Sequence, residues 1–568
     1  MSERALLARF DLVADNPENI PLLRHYIVDL AIRGKLLDKS ALDISAPEML
    51  KRIEAKADSL IKQGKLKKQK PLAPINAEEL PATYIAHCTF ERLGNVANLQ
   101  KGLTGIQSAM PGKFPLVVTA ATRSTCDHFD FDGAAAIVPM VSSTGHGHAS
   151  LNRLHYQEGK FALGTILCAV FPIDEELVSA RFIFEYLTAF KDDLLVSKMN
   201  GTANVTLTVG KIAEVPVPII APAVQRRVNE LMALCDQLQA AQNEREAQRD
   251  RLVTASLHRI GTAPATADEA ETGNEITTPL PEAARFHLAH LPRLTTRPEH
   301  IKQLRQTILN LAVRGRLVPQ DPNDETAVEL LKRIQAEKAR LVKEGKIKKD
   351  KPLPQISEEE KPFTQPTGWE WVRMQTAFDV RDGTHDTPKY VECDGVPLIT
   401  SRNFIDGKIS FDDVKLISWS DHNSIKQRSG VDRRDILYSM IGGNIGNQVI
   451  VDTDREFSIK NVALFKYYTK KESLPEYLNL FLKTMTIGLQ NNAVGGAQPF
   501  VSLSLLRNIP FPIPPLAEQH RIVAKVDELM ALCDQLEAQL TTTQTDSRRL
   551  LEAVLRDALA PVMEETAL

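Results

Sequence analysis

The sequence predicts an α+β protein with two mixed α/β domains. Each returns to a long helix of coiled-coil type, and each is preceded by a helical segment that occurs twice. Three observations predict this. Residues 17–81 align with residues 298–362 at a constant offset of 281, without a gap, and 32 of the 65 positions are identical. The stretch Glu230-Leu231-Met232-Ala233-Leu234-Cys235-Asp236-Gln237-Leu238 returns letter for letter at 528–536, an offset of 298. Between these repeats, residues 82–214 and 363–508 share little sequence and are rich in glycine and short β-prone runs. Each half is therefore similar flank, dissimilar middle, similar flank, as expected of a duplicated scaffold carrying two different inserts.

The elements follow in order. Residues 1–81 and 298–362 read as basic helical segments. In them Leu30-Ala31-Ile32-Arg33-Gly34 matches Leu311-Ala312-Val313-Arg314-Gly315, and Gly64-Lys65-Leu66-Lys67-Lys68 matches Gly345-Lys346-Ile347-Lys348-Lys349. Residues 82–220 and 363–514 read as the mixed domains. Phe114-Pro115-Leu116-Val117-Val118 and Val396-Pro397-Leu398-Ile399-Thr400 are short strand-like runs bounded by turn residues. Residues 221–260 carry apolar Val228, Leu231, Cys235 and Leu238 at a 3-4-3 spacing, the seam of an amphipathic helix. Residues 515–568 repeat it with Val526, Leu529, Cys533, Leu536 and Leu540, then Leu551, Val554 and Leu555. Both helices turn polar in their middles, 242–248 and 541–547. Such stripes serve core packing, a partner seam, or both. Residues 261–297 open with a Thr-, Ala-, Pro- and acid-rich composition and read as a linker.

Composition narrows the class. A chain of 568 residues suggests about three to five domains. Its 43% hydrophobic and 25% charged residues are ordinary for a globular protein. No apolar run is long enough for a membrane span, and the opening residues lack a secretory apolar core. The cysteines, Cys88, Cys126, Cys168, Cys235, Cys393 and Cys533, form no CxxC pair, which argues against a zinc ribbon or a disulfide framework. A cytoplasmic location without a membrane partner is expected. The net charge of −3 is mildly unfavourable to a nucleic-acid binder, but charge is unevenly spread. Residues 51–70 carry eight basic against two acidic side chains and residues 332–351 nine against three. Such tracts serve as solvated helix faces, phosphate contacts or docking surfaces for partner subunits.

Catalytic signatures are missing. No Gly-Lys pair is followed by Ser or Thr, which removes a phosphate-binding loop. There is no H-E-x-x-H and no NPPY-like segment. Glu54-Ala55-Lys56 has a nuclease-like shape, but no Pro-Asp precedes it and its repeat copy is Gln335-Ala336-Glu337. Gly145-His146-Gly147-His148 lacks the further ligands a metal site needs, so no metal is expected.

The plan of two unlike inserts, each returning to a near-identical helix, resembles that of the specificity (HsdS) subunits of Type I restriction-modification systems. Local sequence agrees. Pro366-Thr367-Gly368-Trp369-Glu370-Trp371 looks like the family's P-x-G-W-x-W opening, and residues 382–390 resemble its D-G-x-H-x-T-P-x-Y stretch. Gly495-Gly496-Ala497-Gln498, then Ile509-Pro510-Phe511-Pro512-Ile513-Pro514-Pro515-Leu516-Ala517-Glu518-Gln519, resembles its passage into the helix. The first insert departs from the pattern: its opening, Pro81-Ala82-Thr83-Tyr84, has no Trp, and its helix start is four residues shorter.

The resemblance implies a non-catalytic subunit whose two long helices pack antiparallel and hold apart two target-recognition domains, each reading half of a split, asymmetric site in double-stranded DNA. It also implies two adenine methyltransferase subunits and restriction/translocase subunits as partners, which would hold the AdoMet, ATP and Mg²⁺; this chain would hold no cofactor. Base reading uses Arg on guanine and Asn or Gln on adenine. The candidates in the Gly-rich loops are Lys101, Arg123, Thr144, His146, His148, Asn152, Arg153, Lys198, Asn200 and Asn204 in the first insert. In the second they are His385, Lys389, Ser401, Arg402, Asn403, Asn444, Lys460, Asn461 and Gln498. The bland alternative for each is a solvent-facing loop residue, and for His385 a hydrogen bond within its turn. Leu231, Met232, Leu234, Leu529, Met530 and Leu532 are the candidate partner seam. The competing function is a coiled-coil scaffold that organises partners without reading sequence.

Overall fold

The computed structural model describes residues 16, 19–37, 43–68, 70–80, 84, 88–144, 147–202, 205–262, 282–491 and 499–559. It has mixed helix and sheet and falls into two compact units, residues 1–246 with 543–568, and residues 247–542.

In the first unit the basic segment forms helices α1 (Asn19–Ile32) and α2 (Ala46–Lys62). The second unit has their counterparts, α4 (Pro298–Val313) and α5 (Ala327–Lys343). The repeated glycines explain why these helices stop in step. Gly34, Gly64, Gly315 and Gly345 all take positive φ, between +64° and +71°. After α2, Gly64 N–H donates to Ile61 O and Lys65 N–H to Leu60 O; after α5, Gly345 donates to Val342 O and Lys346 to Leu341 O. These are Schellman caps, which need a residue free of Cβ strain.

The long helices are α3 (Pro222–Thr262, 41 residues) and α6 (Leu516–Leu559, 44 residues). Each contributes to both units, and the unit boundary falls at 246/247 and 542/543, inside the polar stretches predicted to pack least. In the first unit Val224, Val228, Met232 and Cys235 of α3 are buried, and Leu551 and Leu555 of α6 pack with Leu22, Leu23 and Tyr26 of α1. In the second, Ile522, Val526 and Cys533 of α6 are buried, and Val253 and Leu257 of α3 pack with Leu294 and Leu304. The stripe is therefore centred on Met232 rather than on Leu231. The expected linker is corrected over its second part: helices run at Glu282–Ala289 and Leu291–Leu294, and Leu294 is buried.

The first insert comprises β1 (Thr89–Arg92), β2 (Ala97–Lys101), β3 (Phe114–Val117), β4 (Ser124–Cys126), β5 (Phe131–Asp132), β6 (Ala135–Pro139), β7 (His155–Gln157), β8 (Lys160–Leu163), β9 (Leu167–Pro172) and β10 (Pro216–Ile219). The second comprises β11 (Glu370–Arg373), β12 (Phe378–Asp382), β13 (Tyr390–Val391), β14 (Val396–Ile399), β15 (Phe404–Ile405), β16 (Lys408–Ile409), β17 (Lys415–Ile417), β18 (Ile436–Ser439), β19 (Gln448–Ile450), β20 (Ser458–Ile459), β21 (Val462–Tyr467) and β22 (Pro510–Ile513). Unlike sequences take one topology. The order β2-β9-β6-β7 is matched by β12-β21-β18-β19, and β4-β3-β8 by β17-β14-β20, with β3/β8 and β14/β20 the parallel pairs. An antiparallel ribbon closes each insert, β1 on β10 and β11 on β22.

A buried arginine pins each ribbon to its helical segment. Arg92 donates to Ala73 O, Pro74 O and Glu214 O and grips both oxygens of Glu79 at 2.7 and 2.8 Å. Arg373, at the same offset of 281, donates to Pro354 O, Gln355 O and Asn508 O and grips Glu360 at 2.7 and 2.8 Å. The bidentate fork is the strong geometry for this pair, and it holds the Glu79 and Glu360 carboxyls down at about 2.

The Trp that the first insert lacks has a partner on the second long helix. Trp369 is buried and its indole N–H donates to Glu518 at 2.9 Å. Glu518 lies in the first turn of α6, ahead of the point where the offset between the helices changes from 294 to 298. The first unit has Cys88 at the Trp position and Val224 at that of Glu518, so both members of the bond are replaced; the four-residue difference falls beyond Gln225 and Gln519, which donate alike to Ile220 O and Pro514 O.

Candidate nucleic-acid interface

Strand direction gathers most of the candidate residues at one end of each insert. β2 and β6 both run antiparallel to β9, so they point the same way, and β3 runs parallel to β8. The loops after β2, β3, β6 and β8 therefore leave from one end of the first insert. Backbone bonds tie them together: Gly102 N–H donates to Leu167 O, Thr104 to Leu163 O, Gly164 to Val117 O, and Met140 to Ile166 O. The second insert repeats the weave. Gly383 donates to Val462 O, Thr384 to Ile459 O, Lys460 to Ile399 O, and Asn461 to Thr384 O. The segment before each closing ribbon joins the same end, through Val141 with Thr206 and through Ile441 with Phe500.

In the first insert Lys101, Thr144, His148, Asn152, Arg153 and Asn200 are exposed, and Lys198 is half-buried. The loop carrying four of them is stapled by hydroxyls. Thr144 Oγ1 lies 3.0 Å from Ser150 Oγ, Ser142 Oγ donates to His148 O, and Asn152 N–H donates to Ser143 Oγ at 2.9 Å. Gly147 has φ +80° and its Cα side faces Thr202 O, which a Cβ would approach to 2.5 Å. This close approach brings the 144–153 group against the 198–202 group. Lys198 Nζ lies 4.0 Å from Glu79. His146 and Asn204 lie outside the described residues.

Arg123 is committed elsewhere. Its guanidinium is spent on His155 Nδ1 at 3.0 Å, Gln157 Oε1 at 3.2 Å and Tyr156 O at 3.2 Å. Burial, with the charges of Arg123 and Arg153, pushes His155 down to about 4. Arg123 thus has the geometry of a brace between the β3–β4 turn and β7.

In the second insert His385, Lys389, Arg402 and Asn444 are exposed, and Ser401, Asn403, Lys460 and Asn461 are half-buried. Lys460 Nζ donates to Thr387 Oγ1 and joins two of the loops. Asn403 Oδ1 caps Thr400 N–H at 3.0 Å, shaping the turn that presents Arg402. Asn461 has φ +57°, a left-handed position where Asn is tolerated. His385 Nε2 sits 2.8 Å from Asp382, which also meets Arg428 at 2.6 Å. Burial works to raise the Asp382 carboxyl, but these two partners outweigh it and hold it below the ordinary range. His385 thus bonds within its turn. Gln498 lies outside the described residues.

Sequence reasoning missed the apolar residues at this end. Leu103, Ile106 and Met110 stand in the loop after β2 at 68%, 50% and 65% exposure, and Phe500 is also exposed. The signal was present: Gly102, Gly105 and Gly112 bracket apolar residues that follow neither helical nor strand period. Another missed group is Cys126, Asp127 and His128, whose ligating atoms lie within 4.8 Å of one another. His128 is tied to Thr104 at 3.0 Å and Asp127 at 2.8 Å, bonds that hold the turn after β4.

On the long helices, Leu234 and Leu532 are exposed at equivalent places, 56% and 48%. Leu231, Leu529 and Met530 are half-buried, and Met232 is buried in the first unit's own core. One ion pair is duplicated beside this seam, Arg24 with Asp236 at 2.5 Å and Arg305 with Asp534 at 2.6 Å.

Residues 425–543 match the family model for the Type I restriction modification DNA specificity domain. The chain is 30% identical over 575 residues to the Type I restriction enzyme EcoAI specificity subunit of Escherichia coli, covering 95% of this chain and 94% of that one. It is 28% identical over 585 residues to the EcoEI specificity subunit of the same organism, with the same coverage. Among solved structures it is similar to a Type I system S subunit from M. genitalium (12% identity, 85% of this chain and 98% of that one, TM-score 0.27). It is also similar to the HsdS subunit from Thermoanaerobacter tengcongensis (16% identity, 83% and 96%, TM-score 0.36). The chain belongs to the specificity subunits of Type I restriction enzymes, the non-catalytic components of those complexes. No helix among the described residues is long and apolar enough to cross a membrane.

Proposed function

We propose that this chain reads a bipartite, asymmetric site in double-stranded DNA, one half-site per insert. It would recruit two adenine methyltransferase subunits and the restriction/translocase subunits that cut. The observation that carries this reading is the loop end of each insert. The same weave of backbone bonds presents Thr144, His148, Asn152 and Arg153 in one insert and Arg402, Asn444 and Lys460 in the other. A common frame with unlike side chains suits two unlike half-sites, because base edges are told apart by donor and acceptor pattern. AdoMet, ATP and Mg²⁺ belong to the partners in this reading, and the chain works in the cytoplasm where they act. The exposed Leu234 and Leu532, repeated at equivalent helix positions, are the proposed seats of the two methyltransferase subunits.

The test is an exchange of inserts. Residues 363–508 are replaced by the insert of another family member, and methylation is mapped across the genome of a host carrying the whole system. One half-site should change and the other stay. Change in both, or in neither, would refute the division of labour.

A further inference from the structure

The two basic helical segments differ at one place in a coordinated way. In the second unit Lys338 of α5 lies inward. Its ammonium donates to Gln375 O at 3.0 Å, pairs with Asp350 at 2.6 Å and stands 4.8 Å from the centre of the Tyr468 ring. Gln375 Nε2 also donates to Asp350, at 3.1 Å. Lysine, glutamine and tyrosine together fill the space between α5 and the insert.

The first unit has none of the three. At the offset of 281, Ala57 stands for Lys338 and Gly94 for Gln375, and by strand register Ile173 stands for Tyr468. A groove of about 350 Å³ opens there, floored by Leu50, Ile53 and Ile61. Its rim changes as well. Glu54, Asp58 and Glu91 line it, where the second unit has Gln335, Ala339 and Val372. Lys67 is the cation on the lining, and its counterpart is Lys348. Three shrinkages fall on one site, and three carboxyls are added there against one lost, since Asp350, the partner of Lys338, is Gln69 in the first unit; the filled copy shows which group the space accepts. An apolar floor takes the methylene stem of a lysine and a carboxylate rim takes its head.

We propose that this groove receives a lysine side chain from a basic segment of another subunit of the restriction-modification complex. It would do so once per chain, because the equivalent site is filled by Lys338. The inference rests on the proposed assembly, and it makes the two halves of a duplicated subunit unequal toward their partners.

The test uses the assembled complex. A carbodiimide joins a carboxylate to a contacting lysine amine by an amide bond, with loss of water. Mass spectrometry should recover Glu54, Asp58 or Glu91 linked to a lysine of another subunit. The variant Glu54→Gln/Asp58→Ala, which copies the second unit at two exposed helix positions, should lose most of that product. It should also weaken assembly several-fold while leaving the methylated DNA sequence unchanged. The variant Ala57→Lys should weaken assembly about tenfold, and Lys338→Ala should not weaken it. A cross-link only to lysines of this chain, or no cross-link from the three carboxyls in a complex that does assemble, overturns the proposal. Unchanged assembly of both groove variants does so too. If the unmodified chain formed no complex with methyltransferase and restriction subunits, the assembly reading itself would have failed.

Discussion

Replacing Arg92 with Met tests the strongest inference drawn from the fold, that one buried side chain holds the first insert to its helical segment. Arg92 is 5% exposed, and five hydrogen bonds leave its guanidinium. Methionine keeps much of the stem and removes every donor. The carbonyls of Ala73, Pro74 and Glu214 then lose their partner, while Glu79, a quarter exposed, rehydrates in part. Breaking a buried ion pair from one side costs about 3–5 kcal/mol. The partial exposure of Glu79 places the expectation near the lower end, about 3 kcal/mol, or roughly a hundredfold in an opening equilibrium. The assay is hydrogen exchange followed by mass spectrometry on β1 and β10. Those amides should exchange about a hundredfold faster, while β11 and β22 are unmoved. Arg373→Met should produce the reverse pattern, and the double variant should be additive, because the two clamps lie in different units and share no partner. Glu79→Gln in the Arg92→Met background should add little. Acceleration below about threefold at β1 would show that the ribbon is held by apolar packing and that the arginine is incidental.

Other outcomes follow from the same geometry. Glu79 and Glu360 sit at about 2 in the folded chain, below the ordinary carboxylate value, so their contribution is complete above about pH 4.5 and is lost as pH falls toward 2. Exchange at β1 and β11, corrected for intrinsic rate, should rise between pH 5 and 2 and stay level from 5 to 7; a level profile throughout would refute the linkage. Burial raises the Glu518 carboxyl, so its stabilising contribution is greatest at low pH and is lost as pH rises through the folded value. Glu518→Gln, which keeps an acceptor for Trp369, should be nearly neutral in urea unfolding, whereas Trp369→Phe should cost about 1–3 kcal/mol by orphaning the acceptor; equal losses would contradict this. Changing Lys65, Lys67 and Lys68 to Glu should weaken DNA binding or assembly with no change in the methylated sequence, since phosphate and docking contacts carry little base information. A shifted recognition sequence would sink that assignment.

The scaffold was legible in the sequence because duplication writes each constraint twice. Repeated Arg-Gly and Gly-Lys steps mark helix caps, and the polar middles of the long helices mark the place where the two units divide. The inserts were not legible at this depth. Between 88–104 and 369–385 only two of 17 positions agree, yet the structure superimposes β1, a helical turn and β2 on β11, a turn and β12. The two agreeing positions are those with no substitute. One is the clamp, Arg92 and Arg373. The other is Gly102 and Gly383, where a Cβ would come within 2.1 Å of Gly164 O and 2.4 Å of Ile459 O. Apolar strand positions tolerate exchange at similar volume, so they leave no repeat to read. The partners of Arg123 were hidden for the opposite reason: a basic residue in a turn looks free until its acceptors on β7, brought from 32 residues or more away, are placed beside it.

The same comparison locates where the halves differ in chemistry. Gly164-Thr165 and Lys460-Asn461 occupy one turn after β8 and β20, each bonded to a threonine of the loop after β2 or β12, Thr104 or Thr384. The backbone bonds and the threonine are shared, and the side chains of the turn after β8 or β20 are not. Thr104 is turned to His128 and Asp130 at 3.0 and 2.8 Å, while Thr384 Oγ1 donates to Asp386 O at 3.3 Å and Lys460 reaches Thr387. Differences of charge and donor pattern thus accumulate at the loop end, where the frame is most constrained by main-chain bonds. A frame whose loops are joined chiefly by main-chain bonds lets its exposed side chains change without unfolding the insert, and that freedom suits the proposed reading of unlike half-sites. Exchanging Lys460-Asn461 for Ala-Gly, which keeps the left-handed conformation at 461, should therefore leave the hydrogen exchange of β20 and β21 unaltered while changing or abolishing recognition of one half-site. Loss of protection in those strands would mean that the loop end is part of the fold's support and not a free reading surface.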